Sequence, residues 1–214
     1  SLKTVRDEFH VGPDHPIRDR LRPFRSLREA QIHIEPRCHQ DVGEHFEFVQ
    51  LSYKPYPCCR LTHTAIDAAL ALRASKGFDV GRVRRIRVGV NRQSFEAVCT
   101  PIDVRKAPQS LVQAQFSIPY TVATALLDGG VRLGHFTEAA LRRTDVLALA
   151  QRIDGYVDDD IEREWGRGVT PAQLHVEGED ASAWTLRVDL PFGHPSRPMP
   201  QAARDDKALD CFRS

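Results

Sequence analysis

Hydrophobic and polar positions alternate most clearly in two places. Between 83 and 90, Val83, Ile86, Val88 and Val90 are interrupted by Arg84, Arg85 and Arg87, the pattern of a strand with one buried face and one wet face. Between 183 and 190, Trp184, Leu186, Val188 and Leu190 alternate with Thr185, Arg187 and Asp189. Shorter apolar-rich runs at 46–51, 153–158 and 173–177 read as further strands. Ile66, Ala69, Leu70 and Arg73 instead follow helical spacing. They predict a helix that begins at Thr62 or Thr64 and runs to about residue 76. Thr64 with Asp67 three positions on fits a capping signal, and Gly77 is a natural stop. A second helix is predicted over 110–127, where Pro119 implies either a regular start near Ser117 or a kink. Asp128-Gly129-Gly130 ends it. Thr144 caps a shorter helix at 145–151, a polar loop covers 101–109, and a closing helix is expected over 201–212.

The order is strand, helix, strand, helix, helix, then several strands, without a sustained alternation of strand and helix. This predicts an α+β fold, a mixed or antiparallel sheet with helices packed on one face. Residues 1–43 are rich in Arg, Pro and His with weak periodicity, and read as an irregular arm or linker with a short strand at 31–35. The patterned domain is expected over 44–214.

Composition narrows the classes of function. Hydrophobic residues make up 41% and charged residues 28% of the 214-residue chain, the balance of a water-exposed globular domain. No apolar run approaches the ~20 residues needed to span a bilayer, and SLKTVRDEFH has no apolar core of a secretory signal. Thirty Lys and Arg against 29 Asp and Glu leave a net charge of +1, which argues against a dedicated nucleic-acid binder. Five cysteines, Cys38, Cys58, Cys59, Cys99 and Cys211, are odd in number and irregular in spacing. That usage fits a reducing compartment, so a cytoplasmic location is expected.

The densest chemistry lies in KPYPCCRLTH, Lys54 to His63. Two prolines hold this backbone extended and leave the polar side chains little entropy to lose on ordering. Lys54 and Arg60 could hold a carboxylate. His63 falls near a helix start, where the dipole favours a bound anion and disfavours imidazolium. The same residues also read as a rigid loop with solvated charges. Cys38, His39, His45, Cys58, Cys59 and His63 supply zinc-ligand types without the spacing of a known zinc motif. Cys58 or Cys59 with His63 as base would be a nucleophile pair, again without a local signature. In the second dense block, QAQFSIPYTVATALLDGG, Gln115, Ser117 and Tyr120 open a helix and could either bind a ligand or cap and pack.

These blocks carry a resemblance. KPYPCCRLTHTAIDAALAL resembles the KPYP-(S/C)-C-R-x-x-H-x-A-I-D-A stretch of the MmgE/PrpD family, and AQFSIPYTVATALLDGGV resembles its QFSLPYxVAxALLDG stretch. GHPSRPMPQAARDDKALD is similar to its closing G-x-P-x-x-P-M-(S/T)…K stretch. The blocks occur in the family's order, and the resemblance spans about 44 to 212. It implies the smaller α+β lid domain of a cofactor-independent enzyme acting on small di- and tricarboxylates, with the active site in a cleft against a large all-helical domain. Such members include 2-methylcitrate dehydratase, cis-aconitate decarboxylase and iminodisuccinate epimerase, and they commonly form homodimers. The expectation is therefore the lid of a 2-methylcitrate dehydratase-like hydro-lyase, inactive alone; the alternatives are a truncated non-catalytic domain with a binding or assembly role, or half of a family epimerase or decarboxylase. Its expected partners are a small carboxylate, a helical domain that this chain lacks, and a second copy. Carried over by residue, Lys54 pairs with a substrate carboxylate and His63 is a catalytic candidate. Cys59, Arg60 and Tyr120 join Lys54 in substrate binding. Phe95 falls where the decarboxylase has an active-site tyrosine, a position at which it cannot donate a hydrogen bond.

Overall fold

The computed structural model describes residues 51–166 and 171–213. The strand expected at 31–35 and nearly all of that at 46–51 lie outside them, as do Cys38, His39 and His45.

Four strands form one sheet: β1 (Val83–Val90), β2 (Ile153–Val157), β3 (Ala172–Gly178) and β4 (Ala183–Val188), in the order β2-β1-β3-β4. β1 pairs parallel to β2 and antiparallel to β3, and β3 pairs antiparallel to β4. A parallel neighbour requires a long crossover, and the residues between β1 and β2 carry most of the helices. The two alternating runs behave as their pattern dictates. In β1, Ile86 and Val88 are buried while Arg85 and Arg87 are exposed, and in β4 Trp184, Leu186 and Val188 are half-buried while Thr185 and Arg187 are exposed. The expected mixed α+β fold is therefore present in the described residues.

Helices α1 (His63–Arg73), α2 (Ile102–Lys106), α3 (Leu111–Gln115), α4 (Ile118–Asp128), α5 (Thr144–Ala150), α6 (Asp159–Trp165) and α7 (Gln201–Arg213) complete the domain. α1 packs on β3, β4 and α4, and α4 packs on β2. Ile66, Ala69 and Leu72 of α1 and Ile118, Val122 and Leu126 of α4 are all buried, so the two helices form the layer over the sheet's apolar face.

Local details depart from the sequence expectation for identifiable reasons. α1 does not start at a Thr64 cap: a 3-10 turn, Arg60–Thr62, feeds directly into it, and Thr62 provides no side-chain cap. Both Thr64 and Asp67 are buried, so tertiary partners override the capping signal. The predicted helix at 110–127 is two helices. Ser110 Oγ caps α3, Ser117 Oγ accepts from the Tyr120 N–H to cap α4, and Pro119 lies in its first turn, where no N–H is needed. The predicted loop at 101–109 contains α2, and β4 ends at Val188 rather than 190. α6 was not anticipated. Its signal is Asp158, whose carboxylate accepts from the Asp160 and Ile161 N–H groups ahead of an acidic first turn.

Candidate functional site

The segment from Tyr53 to Cys59 is held at its ends and its middle. The Tyr53 N–H donates to Gly193 O at 2.9 Å, and the Cys59 N–H donates to Gln115 O at 2.9 Å. Gln115 Nε2 returns a bond to Pro57 O at 3.1 Å, fastening the end of α3 to the proline-rich turn. In the middle, the Tyr56 hydroxyl donates to Asp67 Oδ1 at 2.5 Å. Asp67 Oδ2 accepts from the Phe192 N–H at 2.6 Å and from Arg197 at 2.7 Å. One buried carboxylate on α1 thus fixes both the KPYP turn and the loop after β4. Burial beside this carboxylate pushes the Tyr56 phenol well above its ordinary range.

Arg60 completes the frame. Its guanidinium donates to Tyr53 O at 2.9 Å, to His63 Nδ1 at 3.1 Å, to Phe192 O at 3.4 Å and to Ser52 Oγ. Guanidinium can only donate, so His63 Nδ1 accepts and the imidazole proton sits on Nε2, 3.4 Å from Cys58 O. His63 is fully buried. Burial, reinforced by the positive charge of Arg60, lowers it to about 3, so it is neutral near pH 7. Cys58 is buried as well, and that burial pushes its thiol up to about 12.

Beside this frame lies an open cleft of about 420 Å³, within the range of small-molecule sites. The KPYP turn lines it with Lys54 and Cys59, α3 with Gln115, and α7 with Lys207, Asp210 and Cys211. Lys207 Nζ donates to Lys54 O at 2.7 Å, and Asp210 accepts from the Leu133 N–H at 3.0 Å. Lys54 makes no ion pair among the described residues. A cation with no ion pair among the described residues can bind an anionic ligand.

Of the site residues expected from the sequence, the structure brings Lys54 and Cys59 into the cleft. Arg60 and His63 are absent from its lining and hold the turn from behind. Tyr120 is a core residue: it is buried, its hydroxyl donates to His135 O at 2.7 Å, and burial raises it to about 12. Phe95 packs on the core in a π turn, Phe95–Cys99. Two residues of the frame and cleft, Asp67 and Lys207, are not among those the sequence singles out. Asp67 read as a cap because nothing local reveals its contacts more than a hundred residues away, whereas Lys207 stood in plain view in the closing block. Among the described residues no three His, Cys, Asp or Glu side chains converge as a metal site. A second groove, around Arg84, Arg85 and Asp154, is already compensated: Arg84 pairs with Glu177, and Arg85 and Lys106 pair with Asp154.

The chain is 25% identical over 166 residues to the cis-aconitate decarboxylase of Aspergillus terreus, covering 74% of this chain and 33% of that protein. It is 24% identical over 163 residues to the cis-aconitate decarboxylase of Homo sapiens, covering 73% and 32%. The chain thus spans about a third of the length of these relatives. The profile of the MmgE/PrpD C-terminal domain matches residues 56–214, beginning two residues after Lys54 and taking in α1, the whole sheet and α7, and on that match the chain belongs to the MmgE/PrpD family as its C-terminal domain.

Proposed function

We propose that this domain is the lid of a lyase that acts on small di- and tricarboxylates without a cofactor, with Lys54 pairing with a substrate carboxylate. The observation that supports the reading is Lys54, a residue of the cleft wall that makes no ion pair among the described residues. The backbone around it is fixed by Gly193 O, Arg60 and Lys207. A cation positioned in advance stabilises the negative charge that develops when a proton leaves the carbon next to a carboxylate. In this reading the described residues of this chain bind the substrate and do not supply the base and acid. His63 is neutral, buried and away from the cleft, and acts as a positioning residue for Arg60. Cys59 contributes contact to the ligand, and the base and acid come from a helical domain across the cleft.

The first reading is 2-methylcitrate dehydration, in which the acid assists departure of hydroxide. A second reading, decarboxylation of cis-aconitate, is favoured by the similarity to the two decarboxylases, while Phe95 in place of a hydroxyl-bearing side chain weighs against it. Formation of unsaturated product from 2-methylcitrate and loss of carboxylate from cis-aconitate should be followed with this chain alone and mixed with a helical domain of the family. Turnover is expected only in the mixture, and Lys54→Met should lower it by about 10²–10³-fold, the scale of one transition-state donor. Full activity of Lys54→Met would refute the role of Lys54, and turnover by the chain alone would refute the division of labour.

A further inference from the structure

α7 has no buried residue along its length, yet it supplies one side of the cleft. Lys207, Asp210 and Cys211 stand at i, i+3 and i+4 and so share a helix face. All three line the cleft. The Asp210 carboxylate accepts from the Leu133 N–H and remains the one acidic side chain of the cleft wall among the described residues. Lys207, like Lys54, makes no ion pair among the described residues. Its ammonium has three N–H donors. One reaches Lys54 O at 2.7 Å, which keeps the second ammonium beside the residue that bears the first and leaves two donors available. Lys54, Lys207 and Asp210 are the charged side chains of the cleft wall, so two cations face one carboxylate and the excess of positive charge favours an anionic ligand.

We propose that Lys207 is a specificity-determining residue, and that Lys54 and Lys207 together hold a ligand bearing at least two carboxylates, one on each ammonium. This rests on the reading of Lys54 as a carboxylate ligand, and it assigns the second contact to the closing helix. A substrate with a single carboxylate leaves one ammonium unmatched, so the discrimination between mono- and polycarboxylates resides in this domain.

The test uses the full chain, titrated with tricarballylate and with butyrate and followed by backbone amide shifts. The expected result is that Lys207→Met weakens tricarballylate by about tenfold or more, the scale of one charge-assisted hydrogen bond, and butyrate by less than about twofold. Lys207→Arg, which keeps a cation and a donor, should hold tricarballylate within about threefold of wild type. Lys54→Met should weaken both ligands. Thermal melting of each variant confirms that it is folded. If Lys207→Met leaves tricarballylate unchanged while Lys54→Met abolishes it, Lys207 has no part in specificity and the Lys54 reading stands. If Lys207→Met weakens both ligands equally, Lys207 acts only as a tie on the Lys54 carbonyl and the proposal is overturned. If wild type binds neither ligand, the Lys54 reading and the proposal fall together.

Discussion

Replacing Asp67 with alanine tests the frame on which the cleft depends. The Asp67 side chain is 2% exposed and accepts three hydrogen bonds, from Tyr56, Phe192 and Arg197. Arg197 is 45% exposed and also bonds Leu190 O, so it keeps water and a partner when the carboxylate is gone. That leaves the loss to the Tyr56 hydroxyl and the Phe192 N–H. Each buried donor stranded without an acceptor costs about 1–3 kcal/mol, which gives about 4 kcal/mol for Asp67→Ala. With a urea dependence of about 2 kcal/mol/M, the unfolding midpoint should drop by about 2 M. A double-mutant cycle isolates the contact. Tyr56→Phe removes the stranded hydroxyl, so the double variant should be less destabilised than the sum of the two singles by about 1–3 kcal/mol. Additivity within about 0.5 kcal/mol, or a loss below about 1 kcal/mol for Asp67→Ala, would refute the argument that this carboxylate organises the turn.

Two further predictions concern the same frame. Gly193 has φ of 84°, and a Cβ there would lie 2.4 Å from Tyr53 O; Gly193→Ala should cost about 1–3 kcal/mol from the backbone conformation alone, with added loss from the clash, and should speed hydrogen exchange at Tyr53. His63 binds a proton in the folded state only at about pH 3, whereas an unfolded imidazole does so near 6.5. The unfolded state therefore holds more protons between these values, and the stability His63 contributes is complete above about 6.5 and declines as pH falls toward 3, by at most about 1.4 kcal/mol per unit. His135, lowered by burial, adds a slope of the same sign. Denaturation midpoints from pH 7 to 4.5 should thus fall less steeply in His63→Gln than in wild type, and identical slopes would contradict a neutral buried His63.

What the sequence determined by itself was local and periodic. The alternation of Val and Ile with Arg at 83–90 specifies which side of β1 is buried, because a one-residue slip would bury arginines. Ser117 with Pro119 places the start of α4, since the cap and the first-turn proline act on neighbouring backbone. The prolines around Lys54 make that segment extended and keep it out of a helix. The tertiary structure decided the rest. Asp67 resembles a helix-capping residue until the Tyr56 hydroxyl and the Phe192 N–H reach it, the latter from 125 positions away. His63 resembles a base until burial and the Arg60 guanidinium make it a very weak one, with Nδ1 already accepting from Arg60. Tyr120 resembles a ligand contact until its hydroxyl is found on His135 O inside the core. Lys207 joins Lys54 only because α7 folds back across 153 positions of chain. Hydrophobic period and capping chemistry act between near neighbours, so they are written along the chain. A cleft is a meeting of distant segments, and which polar side chains face it or brace it depends on packing that no local pattern encodes.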